Sequence, residues 1–291
     1  MTYNFNNAII RKPNQSIQNG LSSKNLPPQY EIVLKEHTNY VKSIKEAGLK
    51  INLLEPLEEY PDSIFVEDPA LTYKSNIIIL NPFDPSRNGE KDIIKNEIKD
   101  FFDNIFFVED GFVEGGDILN ISNHFIIGLS DRTNKLGADK LSNILKRLGA
   151  TVEICKTPKD ILHFKSECSV LDNDTILVSN KMAKLDYLQS NYNLIELPIG
   201  EEGAANSLRI NDKLLLPDGY LKAEEILSKK YNISDDLGNG NQIPDASNDQ
   251  LVFFDDKDQL LRNALKEMDL NSMTPIEAIK YLDELKKEHN L

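Results

Sequence analysis

Short β-branched runs alternate with amphipathic helical stretches along the first 231 residues, and that alternation confines this part of the chain to layered α/β architectures. Strands are expected at Ala8 to Ile10, Ile51 to Leu54, Ile77 to Leu80, Ile105 to Val108, Ile118 to Ile121 and Phe125 to Ile127. Further short strands are expected at Val152 to Cys155, Thr175 to Val178, Leu194 to Leu197, Ser207 to Ile210 and Leu214 to Leu216. Helices are expected over 29–47, 90–102 and 134–148. The first would bury Val33, His37, Tyr40, Val41 and Ile44 and stop at Gly48, and the third would stop at Gly149. Several stretches read as a strand pair, a helix and a further strand, which points to repeated ββαβ modules, although no exact sequence repeat marks them.

The texture changes after Tyr231. Residues 232–249 are rich in Asn, Asp, Gly and Ser, the composition of a linker. Beyond them, 257–268 and 275–289 read as two helices, the second opened by Thr274 as cap, Pro275 at its first position and Glu277 at its third. Such a pair buries little on its own, so it should dock on the main domain or on a partner.

Charge narrows the partners. Lys plus Arg number 33 against 47 Asp plus Glu, a net charge of -14, which repels phosphate backbones and suits a cationic small molecule. No apolar stretch approaches the roughly 20 residues that span a bilayer, and the first residues carry neither a charged n-region nor an apolar core of a signal peptide. Cys155 and Cys168 are the only cysteines, form no CxxC and belong to no evident metal set, so no metal or cofactor is expected. Two free thiols without an export signal fit a cytoplasmic protein.

Several residues bear chemistry. Glu67 and Asp68 are adjacent carboxylates in the apolar run PDSIFVEDPAL, with Asp62 just upstream. Burying them unpaired is costly. A guanidinium from a ligand relieves that cost through its fork of donors; so does a protein arginine, or a solvated strand end. Glu114 precedes Gly115, Gly116 and Asp117, and two glycines within a strand pattern imply close backbone approach or a bulge, or an ordinary turn. His163, between apolar neighbours, reads as a general acid/base or as a satisfied core histidine. Arg87 and Arg132 are loop arginines, each able to clamp a carboxylate and each equally readable as a surface residue.

Taken in order, the segments IIRKP, QNGL, KEHTNYV, PDSIFVEDPA, PSR, VEGGD, GLSDRTN followed by LGA, LHFKS, EGAANSLRIN and LLPDGY run nearly colinearly over residues 8–231. In these the chain resembles the dimethylarginine dimethylaminohydrolases of the guanidine-modifying pentein superfamily. The resemblance implies a five-bladed α/β propeller of ββαβ units, the last one incomplete here. It implies Asp62, Glu67 and Asp68 on a methylated guanidinium, and Arg87 and Arg132 on the amino-acid carboxylate. Leu21 would sit on a lid loop beside Gly20 as hinge. His163 would protonate the departing methylamine and then activate water, oriented by Glu114, and the products would be citrulline and a methylamine.

The resemblance also implies a nucleophilic cysteine in a Gly-rich run entering the last strand, and no such run or cysteine follows Tyr231. Cys155 ends a predicted strand and reads as a small buried hydrophobe. Cys168, five residues past His163, reads the same way or as a substitute nucleophile. The loss of the last strand should leave a sheet edge exposed unless other residues cover it. The final forty or so residues are similar to the extreme C-terminus of the mismatch-repair protein MutS. That similarity implies self-association through the helix pair, and a sliding-clamp contact through Gln250, Leu251, Phe253 and Phe254. Three functions therefore stand open: an amidine hydrolase impaired at its nucleophile, a non-catalytic binder of arginine derivatives, or an assembly protein acting through its tail.

Overall fold

The computed structural model describes residues 3–21, 27–231 and Lys280. The chain divides into two units, Met1–Leu251 and Val252–Leu291. The linker 232–249, the two tail helices and Gln250, Leu251, Phe253 and Phe254 lie outside the described residues, Lys280 excepted. Among the described residues no helix is long and apolar enough to cross a membrane.

Three complete ββαβ units follow one another. In the first, β3 (Ala70–Tyr73) pairs antiparallel with β4 (Asn76–Ile79), helix α2 (Glu90–Ile98) crosses over, and β5 (Asn104–Phe107) returns parallel to β4. The second repeats the plan with β6 (Ile118–Ile121), β7 (His124–Leu129), α3 (Lys135–Arg147) and β8 (Thr151–Lys156). The third has β9 (Cys168–Val170), β10 (Thr175–Val178), α4 (Asp186–Asn191) and β11 (Asn193–Glu196). The central strand of each is the most deeply buried: β4 and β10 are buried at every residue, and β7 at its middle four.

Two further units flank these three. β1 (Asn7–Arg11), α1 (Tyr30–Glu46) and β2 (Lys50–Leu54) form a parallel pair with its crossover. β12 (Leu208–Ile210) and β13 (Lys213–Leu215) form an antiparallel hairpin followed by α5 (Leu221–Lys230). The sequence implied one incomplete unit; among the described residues two are. Among the described residues no strand stands antiparallel to β1 and none parallel to β13. The consequence is visible in burial, since β13 has no buried residue and β1 buries only Ile10 and Arg11. The two partial units meet: Ile210 and Leu215 pack into the cluster of Ile10, Ile44, Ala47 and Leu49. The Asn211 side chain accepts the Phe5 N–H and donates to the Ala47 carbonyl.

The helix stops follow backbone chemistry. Gly48 and Gly149 take φ of +89° and +86°, the left-handed conformation that a side chain disfavours and that ends α1 and α3. At the other end of α3, the Asn134 side chain accepts the Gly137 N–H at 2.9 Å and caps the helix. The expected helix over 90–102 ends at Ile98 and tightens into a 3-10 turn over Lys99–Phe101. Strands β3 and β9 and helices α4 and α5 were not expected. The first two and α4 are three to six residues long, too short to show a period.

Candidate functional site

The chemistry-bearing residues occupy equivalent places in successive units, on the segment just ahead of each unit's first strand. Glu67 and Asp68 lead into β3, Glu114 to Asp117 into β6, and His163 into β9. The chain brings these segments together: one carboxylate oxygen each of Asp68 and Glu114 and a ring nitrogen of His163 lie within 4.8 Å of one another. Among the described residues no strand precedes β1 antiparallel to it, so that unit contributes no equivalent segment.

Glu114 is fully buried and its two oxygens are divided between jobs. Oε2 meets His163 Nε2 at 2.8 Å. Oε1 accepts the Phe83 N–H at 3.0 Å and faces the Arg132 guanidinium at 3.7 Å. Burial alone would push the Glu114 carboxyl up, but the hydrogen bonds from His163 and Phe83 and the charges of His163 and Arg132 together hold it below its ordinary value of 4.5. Burial pulls His163 down, and the hydrogen bond to Glu114 with the charges of Asp68, Asp117 and Glu114 outweighs it, raising His163 above 6.5. The pair is therefore biased toward carboxylate and imidazolium.

The two glycines are required by space. A Cβ on Gly116 would come within 2.8 Å of His163 Cγ, and one on Gly115 within 2.0 Å of the Glu67 carbonyl oxygen. Of the readings the sequence left open for this pair, close backbone approach is the one observed.

The three acidic residues each have a protein partner. Asp68 accepts the Gly116 N–H at 3.0 Å and pairs with Arg87 at 2.5 Å. Asp62 is buried, and both of its oxygens face the Leu21 N–H at 3.1 Å. Glu67 is exposed and pairs with Lys165 at 2.6 Å. Glycine at position 20 is likewise a matter of room: its φ of -65° is ordinary, while a Cβ there would lie 2.8 Å from Asp62 Oδ1. Leu21 itself is 45% exposed.

Arg87 departs from expectation. Read from sequence as a clamp for a ligand carboxylate, it is 3% exposed, with its fork spent on Asp68, both oxygens of Glu90 and the carbonyls of Asp62 and Phe65. It pins the acidic segment to α2 from behind. Arg132 differs, because at 3.7 Å from Glu114 it is held by charge without a hydrogen bond to it. A metal would have to displace Arg87 and the Gly116 N–H from Asp68 and the Phe83 N–H from Glu114, so the Asp68, Glu114 and His163 cluster reads as an ion-pair network. A cleft bordering the Arg132 loop, lined by Asp131, Lys135, Lys156, Lys159 and Asp160, includes none of these groups.

Both thiols sit in apolar surroundings that disfavour the thiolate, Cys168 buried and Cys155 partly buried. Cys168 is 1% exposed and donates to the Phe164 carbonyl at 3.1 Å. Burial pushes its ionisation far up. Cys155 lies in β8, and burial, helped by the Glu153 charge, pushes it up to about 12. Both belong to the apolar cluster around Leu119, Ile126 and Ile176, so the reading of Cys168 as a substitute nucleophile is not supported by its surroundings.

Residues 3–184 match the family model described as eukaryotic N,N dimethylarginine dimethylhydrolase. An N(G),N(G)-dimethylarginine dimethylaminohydrolase of Pseudomonas aeruginosa is 34% identical over 228 residues, covering 77% of this chain and 89% of that protein. The chain belongs to the dimethylarginine dimethylaminohydrolase family. A second family protein, from Streptomyces coelicolor, is 26% identical over 225 residues, 76% of this chain and 85% of that one. The Pseudomonas aeruginosa enzyme solved as a cysteine-to-serine mutant complexed with citrulline superposes with a TM-score of 0.75 at 33% identity, over 78% of this chain and 90% of that chain. The N-terminal domain of the arginine dihydrolase ArgZ, at 15% identity and a TM-score of 0.68 over 76% of this chain and 86% of that one, shares the fold alone. The pentein architecture expected from the sequence is the architecture of this family member.

One consequence of the Glu114 and His163 pair is a pH signature. A histidine raised by folding adds stability that is fully present below its unfolded value of 6.5 and lost as pH rises through the folded value. A carboxyl lowered by folding adds stability present above 4.5 and lost as pH falls through its depressed value. Both contributions are complete between those limits. Urea denaturation should show that His163→Asn removes the part of the stability that the parent chain loses as pH rises from 6.5 through the folded-state midpoint of His163. Identical pH profiles for the two would contradict the assigned pair.

Proposed function

We propose that the site binds an N-methylated arginine, with Glu67, Asp62 and Asp68 facing the guanidinium, Arg132 on the amino-acid carboxylate and Leu21 over the ligand. Arg87 supports Asp68 in this reading instead of touching ligand. The observation that carries it is the pair of buried Glu114 and partly buried His163 set within 4.8 Å of Asp68. It supports reading His163 as a proton-transfer group beside carboxylates suited to a planar cation. His163 would hold the proton for the departing amine, and Glu114 would keep the ring oriented and charged.

The hydrolysis for which the family is named requires attack on the guanidine carbon. In this reading the attacking thiol is supplied by neither Cys155 nor Cys168, so the chain acts as a binder of arginine derivatives that retains the proton-transfer half of the machinery. The burial of Cys168 and the raised ionisation of both thiols support this over turnover. Self-association or clamp binding through Gln250, Leu251, Phe253, Phe254 and the tail remains a separate proposal, tested by whether it survives deletion of residues 1–231.

Titration calorimetry with asymmetric dimethylarginine tests the binding. Arg132→Ala should weaken it by about 2–4 kcal/mol, the cost of removing one member of a desolvated charge pair. Unchanged affinity would remove Arg132 from the site.

A further inference from the structure

Asp117 closes the Glu-Gly-Gly-Asp run and touches none of the groups assigned to ligand. It is fully buried, as is Thr133 at 1% exposure. Its two oxygens take three donors on two separate segments. Oδ1 accepts the Phe164 N–H at 2.8 Å, one residue past His163. Oδ2 accepts the Ser130 hydroxyl at 2.6 Å and the Thr133 hydroxyl at 2.7 Å, on either side of Arg132. Those hydroxyls accept backbone N–H groups in turn. Ser130 Oγ accepts the N–H groups of Arg132 at 3.0 Å and Thr133 at 3.2 Å. Thr133 Oγ1 accepts the Glu114 N–H at 3.2 Å.

We infer that Asp117 is the positioning residue of this site, the single carboxylate that fixes the histidine segment, the Arg132 loop and the Glu114 backbone in one register. The chemistry requires an acceptor on both sides. Ser130 spends both lone pairs and Thr133 one on backbone N–H groups, and both point their protons at Asp117, so an atom that accepts and never donates is what matches the Phe164 N–H and the two hydroxyls as they stand. An asparagine would present its NH2 either to the Phe164 N–H or to the two hydroxyls. Either choice sets donor against donor and leaves buried groups unpaired. The Asp117 charge also faces His163, together with Glu114 and Asp68, and supports the imidazolium.

This inference rests on the guanidine-binding reading above, and the test separates the two. The His163 imidazole is followed by NMR titration, its signal assigned by its absence from His163→Asn, and affinity for asymmetric dimethylarginine is measured by calorimetry at a temperature where each variant is folded. Asp117→Asn should lower the His163 midpoint and weaken binding about tenfold or more, equivalent to about 1.4 kcal/mol. Thr133→Val keeps the Asp117 charge and the Ser130 bond but cuts one of the two links to the Arg132 loop and the only one that passes to the Glu114 N–H. It should weaken binding comparably while leaving the His163 midpoint in place. A folded Asp117→Asn chain with parental midpoint and affinity overturns the inference. If that variant does not fold, parental affinity in Thr133→Val overturns it equally. Absence of binding by the parent chain defeats the guanidine-binding reading, while the His163 midpoint still decides whether Asp117 acts on the histidine.

Discussion

Arg87→Ala should destabilise the fold by about 3–5 kcal/mol, the range for stranding a buried charge. The guanidinium is 3% exposed and is the common partner of Asp68 and Glu90, themselves buried. Its Nε and one terminal nitrogen take the two Glu90 oxygens at 3.0 and 2.7 Å, while the other terminal nitrogen takes Asp68 at 2.5 Å. Burial drives the Glu90 carboxyl up against the pull of Arg87, and the Asp68 charge adds to the push. Without the arginine, two carboxylates repel inside the protein and the carbonyls of Asp62 and Phe65 lose a donor. Chemical denaturation reads the loss directly. The variant should recover part of its deficit on acidification, because protonating Glu90, whose carboxyl burial drives up, removes the repulsion. Arg87→Lys should recover only part of it at neutral pH, since an ammonium cannot reproduce the planar fork. A loss under about 1 kcal/mol in Arg87→Ala, below what breaking a buried pair entails, would mean that solvent reaches the cluster.

The second large effect is chemical. Given asymmetric dimethylarginine, the chain should bind it and release no citrulline above a buffer control, and thiol alkylation should change nothing. With its ionisation near 12, Cys155 would be thiolate in about one molecule per 10⁵ at neutral pH. Cys168 is held still more firmly by burial and by the Phe164 carbonyl. Loss of a covalent nucleophile costs on the order of 10⁴- to 10⁶-fold in rate, so residual hydrolysis should fall below detection. Citrulline release abolished by alkylation would overturn this, and Cys155→Ser and Cys168→Ser would then show which thiol attacks.

Much of the fold was legible because its signals are local. Helices α1 and α3 carry a full amphipathic period and end where Gly48 and Gly149 take positive φ. Strands such as β10 are continuous apolar runs because they are buried on both sides. The colinear motifs carried the family, since a run of residue types in fixed order needs no coordinates. The residue types of the site were legible for the same reason.

Their division of labour was not. Arg87 and Arg132 are both loop arginines in sequence, and only packing shows that one is walled in by Asp68 and Glu90 while the other stands at 3.7 Å from Glu114. Asp117 looked like the end of a turn, because the hydroxyls and the N–H that converge on it come from residues 130, 133 and 164. Lys165 gave no sign of pairing with Glu67, ninety-eight positions away. The sequence by itself determined which elements form and which family they build, because period, caps and motif order are properties of neighbours along the chain. Tertiary structure alone decided which charges meet and which are sealed from water, because those depend on the desolvation and distance that arise when remote segments pack.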